Sequence, residues 1–116
     1  MGKLTTHVLD TAQGKPGAGI TFRLFRVTGN GRELVREGAT NRDGRADAPL
    51  LSEDEFAVGT WELDLDVAAY FAAQPVEVAD PPFLDRVTLR FSTAADEHYH
   101  VPLLVSPWSY STYRGS

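Results

Sequence analysis

Trp61-Glu62-Leu63-Asp64-Leu65-Asp66-Val67 sets an apolar side chain at every second position and a carboxylate between each pair. Successive side chains of a strand leave opposite faces of the pleat, so this alternation describes a strand with one face in a core and the other toward water. The same period recurs on both sides. Toward the N-terminus, residues 20–27 alternate Ile20, Phe22, Leu24 and Arg26 against Thr21, Arg23, Phe25 and Val27. Thr28-Gly29-Asn30-Gly31 then turns the chain into a hairpin partner over residues 33–40. Residues 4–10 alternate Leu4, Thr6 and Val8 against Thr5, His7 and Leu9, ahead of a turn at Gly14-Lys15-Pro16-Gly17. Asn41-Arg42-Asp43-Gly44-Arg45 carries Asp-Gly at its centre, the composition of a tight turn. Toward the C-terminus, the alanine-rich residues 67–73 predict one short helix. Asp80-Pro81-Pro82 separates it from a strand over 86–93, and two last strands, 98–105 and 108–113, meet at Ser106-Pro107. About eight short strands and one helix predict an all-β sandwich.

A chain of 116 residues supports one domain, 1–116, with one core. Apolar residues at 42% and charged residues at 23% are ordinary globular usage. The net charge of −5 and the lack of any Lys/Arg cluster argue against nucleic acid, because neutralising phosphates needs a basic surface. With no cysteine there is no disulfide framework, thiolate nucleophile or Cys-ligated metal. Met1 to His7 has no apolar leader, and no apolar run approaches the ~20 residues of a spanning helix. The expectation is a cytoplasmic protein without a membrane partner.

All three histidines fall on predicted strands. Parity puts His98, His100, Pro102 and Leu104 on one face of their strand, opposite Tyr99, Val101, Leu103 and Val105. His7 shares a face with Thr5 and Leu9, and Ser109, Ser111, Tyr113 and Gly115 share a side of the last strand. Were these faces on one sheet, His7, His100 and Tyr113 would converge, but parity alone does not pair the first strand with the penultimate one. A strand histidine is more often a structural, hydrogen-bonded residue than a catalyst. His98-x-His100, with His7 as a third imidazole, also leaves a zinc site open. Other templates fail: Ser106, Ser109 and Ser111 lack a Gly-x-Ser-x-Gly elbow, and Glu53-Asp54-Glu55 reads as a solvated face. The chain closes in Tyr113-Arg114-Gly115-Ser116, with a phenol, a guanidinium and a carboxylate in line with the last strand.

Five blocks, in order along the chain, resemble the transthyretin-like 5-hydroxyisourate hydrolases, enzymes of urate breakdown. They are Thr5-Thr6-His7-Val8-Leu9-Asp10, Gly14-Lys15-Pro16, Thr40-Asn41-Arg42-Asp43-Gly44-Arg45, His98-Tyr99-His100-Val101-Pro102-Leu103-Leu104-Val105-Ser106-Pro107, and the closing Tyr113-Arg114-Gly115-Ser116. The terminal tetrapeptide separates these hydrolases from transthyretin. The resemblance implies a transthyretin-like two-sheet sandwich assembled as a homotetramer, with active sites at the ends of a channel through the dimer–dimer interface. It implies catalytic roles for His7, Arg45, His100 and Ser116. It also implies substrate contacts from His7, Arg45, Tyr113, Arg114, Gly115 and, more weakly, His98. The implied substrate is 5-hydroxyisourate, whose activated ring amide is opened by water with no metal or cofactor. An imidazole titrating near neutrality suits water deprotonation, and a planar guanidinium suits a carbonyl or oxyanion. Two other classes stand beside this one. One is a transthyretin-type carrier holding an aromatic ligand in a tetramer channel, and the other is a structural β-sandwich module.

Overall fold

The computed structural model describes residues 1–115. Its elements in chain order are β1 (Lys3–Asp10), β2 (Lys15–Pro16), β3 (Thr21–Thr28), β4 (Gly31–Ala39), β5 (Gly59–Leu65), α1 (Val67–Ala72), β6 (Val87–Thr93), β7 (His98–Val105) and β8 (Tyr110–Thr112). They form two four-stranded sheets, β2-β1-β7-β8 and β4-β3-β5-β6, packed face to face as a sandwich of the predicted class. The inward sides supply the core: Leu4 and Val8 of β1, Phe22 and Leu24 of β3, Trp61, Leu63 and Leu65 of β5, and Val101, Leu103 and Val105 of β7 are all buried. Burial alternates without a break along β1, as period-two patterning requires.

Several boundaries shift by a residue or two from the sequence expectation, and three of the differences have a visible cause. β5 stops at Leu65 because the Asp66 amide donates to the Thr21 carbonyl and Val67 begins the helix. Gly14 to Gly17 is more than a turn: Lys15 and Pro16 pair back onto Asp10 and Leu9 as β2. β8 is shorter than 108–113, since a tight turn closed by the Ser106 amide on the Ser109 carbonyl (2.9 Å) takes up Trp108. The six-residue α1 is too short to hold itself and has no side-chain N-cap. It is stapled to β1 instead, with the Tyr70 hydroxyl donating to Asp10 Oδ2 at 2.7 Å. Burial by itself raises the Asp10 carboxyl. Hydrogen bonds from Tyr70, Gln13 and the Ala12 amide outweigh it and hold the group below the usual carboxylate range.

The pairing that parity left open is decided by the fold. β1 and β7 run parallel as neighbours, with Lys3 beside His98, Thr5 beside His100, His7 beside Pro102 and Leu9 beside Leu104. The outward sides of both strands therefore make one surface. Among the described residues, no helix is long and apolar enough to cross a membrane.

Candidate active site

Four backbone segments lie side by side across this surface. The Asn41 to Gly44 turn comes first, its Asn41 Oδ1 accepting from the Asp43 and Arg45 amides at 2.9 and 3.2 Å. Gly44 has a φ of +76°, and a Cβ there would sit 2.4 Å from the Val8 carbonyl oxygen, so only glycine lets this turn lie against β1. The Val8 amide donates to the Gly44 carbonyl at 2.8 Å, and Arg45 is thereby bridged to His7. β1 follows with Thr5 and His7, then β7 with His98 and His100.

The fourth segment is the tail. Thr112 pairs with Leu103, and three residues on Gly115 pairs with His100, so the register continues past the end of β8. The ladder is interrupted where that register sets Tyr113 opposite Pro102, which has no N–H to give. It resumes at Gly115, whose amide donates to the His100 carbonyl at 2.6 Å. A side chain on Gly115 would press on the imidazole, since an added Cβ would lie 3.0 Å from His100 Cδ2.

His7, Arg45, His100 and Gly115 are thus brought together, with His98 at the margin. The half-buried His100 is held below the ordinary histidine range by desolvation, then by the neighbouring charges of Arg45, His7 and His98. It is therefore a neutral imidazole at neutral pH, beside a guanidinium that has no carboxylate partner among the described residues. An open depression of about 180 Å3 adjoins the guanidinium, lined by Thr5, Arg45 and Asp47 among others. A neutral base next to a fixed cation can take a proton from water and stabilise the oxyanion that results. Among the described residues no three His, Asp or Glu side chains are grouped to hold a metal ion.

The rest of the tail divides. Tyr113 is on the His100 side of the strand and 60% exposed, open to a ligand. Arg114 is not brought to the histidines. Its guanidinium donates to Glu97 Oε1 at 2.9 Å and the His98 carbonyl at 3.1 Å, and lies 4.2 Å from the Tyr99 ring centroid, on the core side of β7. Ser116 lies outside the described residues. One neighbour went unremarked as a site residue in the sequence: Thr5, whose hydroxyl reaches Nδ1 of His100 and Nε2 of His98. Its signal was parity with His7, which acquires meaning only once β1 is known to lie against β7.

Residues 4–115 match the HIUase/Transthyretin family. The 5-hydroxyisourate hydrolase of Deinococcus radiodurans is 60% identical over 114 residues, covering 97% of this chain and 95% of that one. The 5-hydroxyisourate hydrolase of Ralstonia nicotianae is 56% identical over 117 residues, the full length of both. The crystal structure of transthyretin from Sparus aurata superposes with a TM-score of 0.84 at 26% identity, covering 97% of this chain and 96% of that one. The sandwich is accordingly transthyretin-like, and with a match that runs from Leu4 to Gly115 the chain belongs to the HIUase/transthyretin family.

Proposed function

We propose that this protein hydrolyses 5-hydroxyisourate in urate degradation, and that His7, Arg45 and His100 carry the chemistry. The observation that carries the reading is the neutral His100 imidazole set beside His7 and an Arg45 guanidinium with no carboxylate partner among the described residues. The family membership and the full-length identity to two 5-hydroxyisourate hydrolases support it. His100 takes a proton from a water molecule as its oxygen adds to the activated ring carbonyl. Arg45 hydrogen-bonds the oxyanion while it forms, and the C–N bond then breaks as the leaving nitrogen receives a proton, with His7 assisting the transfers. The product is 2-oxo-4-hydroxy-4-carboxy-5-ureidoimidazoline. Tyr113 and the Gly115-Ser116 end position the substrate, with His98 at the edge of the site. Arg114 anchors the tail through Glu97 and Tyr99 instead of reaching the substrate.

No metal or cofactor enters this scheme, since base and oxyanion donor are both side chains. Activity should survive exhaustive chelation; a loss reversed by zinc would favour the metal alternative. The assembly we infer is a cytoplasmic homotetramer of single-domain chains. Trp108 and Tyr110, 56% and 45% exposed beside this surface, are apolar groups that an assembly would cover. Light scattering should return a mass near four chains. The deciding experiment is urate with urate oxidase, with and without this protein. Faster decay of the 5-hydroxyisourate absorbance is the expected result; an unchanged decay would reject the hydrolase.

A further inference from the structure

The hydroxyl of Thr5 stands between two histidines, with Oγ1 2.8 Å from Nδ1 of His100 and 3.0 Å from Nε2 of His98. A hydroxyl has one proton to give and two lone pairs that accept, and with neutral rings two arrangements keep its proton between the two histidines. In the first, His100 Nδ1–H donates to Oγ1 and the hydroxyl donates to the lone pair of His98 Nε2. In the second every donor is reversed: His98 Nε2–H donates to Oγ1, and the hydroxyl donates to His100 Nδ1. The two differ at the far nitrogen of His100. The first leaves Nε2 a lone pair; the second puts the ring proton on it.

We propose that Thr5 is a positioning residue that holds the His100 proton on Nδ1 and so presents Nε2 as the basic nitrogen, with its own proton passed to His98. This rests on the hydrolase reading, which requires His100 to act as a base. The geometry favours a fixed relay over a chance contact. Thr5 and His100 are register partners on parallel strands, and the His100 backbone is pinned on its other side by Gly115. A doubly protonated His100 would donate to Thr5 whatever the hydroxyl did. Desolvation, and the charges of Arg45, His7 and His98 that face the ring, work against that form. The exposed His98 completes the chain by accepting the hydroxyl proton at Nε2. Were its Nε2 a donor instead, the hydroxyl would be free to turn to His100 Nδ1, which would place the His100 proton on Nε2.

Long-range 1H–15N spectra of the histidine-labelled protein without substrate, at about pH 8 where imidazoles are neutral, read the tautomer directly. Wild type should show His100 in the Nδ1–H form. Thr5→Val, which keeps the shape and removes the hydroxyl, should shift His100 toward Nε2–H. It should also lower kcat about 10- to 100-fold, as loss of an imidazole's orienting partner does, with KM changed less than about twofold. Thr5→Ser should restore both. An Nε2–H form in wild type overturns the proposal whether or not Thr5→Val folds, and so does an unshifted His100 in a folded Thr5→Val. An active wild type with an unshifted His100 rejects the relay and leaves the hydrolase standing. An inactive wild type with Nδ1–H on His100 rejects the hydrolase and keeps the proton placement.

Discussion

The two sheets present opposite kinds of surface to their surroundings. Outside β4-β3-β5-β6 the charges neutralise one another. Arg32 bridges Glu62 and Asp64, each at 3.0 Å, Arg90 takes the second oxygen of Glu62, and Arg86 and Arg23 share Asp66. Thr88 completes Asp64 with a 2.7 Å hydrogen bond, so that this carboxylate is buried yet satisfied. Outside β2-β1-β7-β8, Arg45 has no carboxylate partner among the described residues, and its charge adds to the desolvation that keeps His100 unprotonated. A paired charge has its field absorbed by its partner. A cation without a carboxylate partner among the described residues keeps its field for a ligand, at a cost in stability that the paired face does not bear.

The largest test of this contrast is His100→Asn, which should lower kcat about 100- to 10,000-fold, the range of a lost general base. Decay of 5-hydroxyisourate under single-turnover conditions measures it, and His98→Asn should do far less damage; equal losses would dissolve the distinction between the two histidines. Next comes a matched pair across the sheets. Arg45→Met should cost about 100- to 1,000-fold in kcat, as losing one oxyanion donor does, with the melting temperature unchanged or raised. Arg32→Met should leave kcat intact and reduce stability by about 1 kcal/mol, the scale of a partly exposed ion pair. Reversal of these two outcomes would show that the paired face is the working one.

Smaller again is the tail. Deleting residues 113–116 removes no core side chain, so the far-ultraviolet spectrum should persist while activity falls about 100-fold through lost placement. Gly115→Ala, which pushes a methyl against the His100 ring, should give an intermediate loss. Full activity after deletion would reduce the tail to a solvated end. The least change is expected with pH. His100 titrates below its ordinary 6.5, so it stays a neutral base under mildly acid conditions, and kcat/KM should decline only as pH falls through the lowered folded value. Between 6.5 and that value the unfolded chain binds more protons than the folded one. The stabilisation from keeping this ring neutral is therefore present above 6.5 and lost as pH falls through the folded value. Urea unfolding across that window should show the slope in wild type and a flatter one in His100→Asn.

Much of this was legible in the chain itself. Alternation marked the long strands to within a residue or two, because the period of two is a local property of the backbone. The inward and outward sides of β1 and β7 followed from the same parity, with one exception. Pro102, on the outward side, is buried, as it lies between His7 on β1 and the tail. The family blocks named His7, Arg45 and His100 together. What parity could not supply was adjacency. Thr5 and His100 are 95 positions apart, and whether they touch depends on which strands pair, in which direction and in what register. Those choices are made by the core, since a shift of one residue would turn Leu4, Val8, Val101 and Leu103 out to water.

The tail was decided the same way. Its residue types suggested a site, and Tyr113 and Gly115 do lie on the histidine side. Arg114 falls on the other parity, and Glu97 and Tyr99 hold it there. By itself, then, the sequence determined the strands, their faces and the kinds of groups available, all of which follow from side chains and their nearest neighbours along the chain. The tertiary structure alone decided which of those groups meet, because burying two apolar faces against each other fixes contacts between residues that the chain keeps far apart.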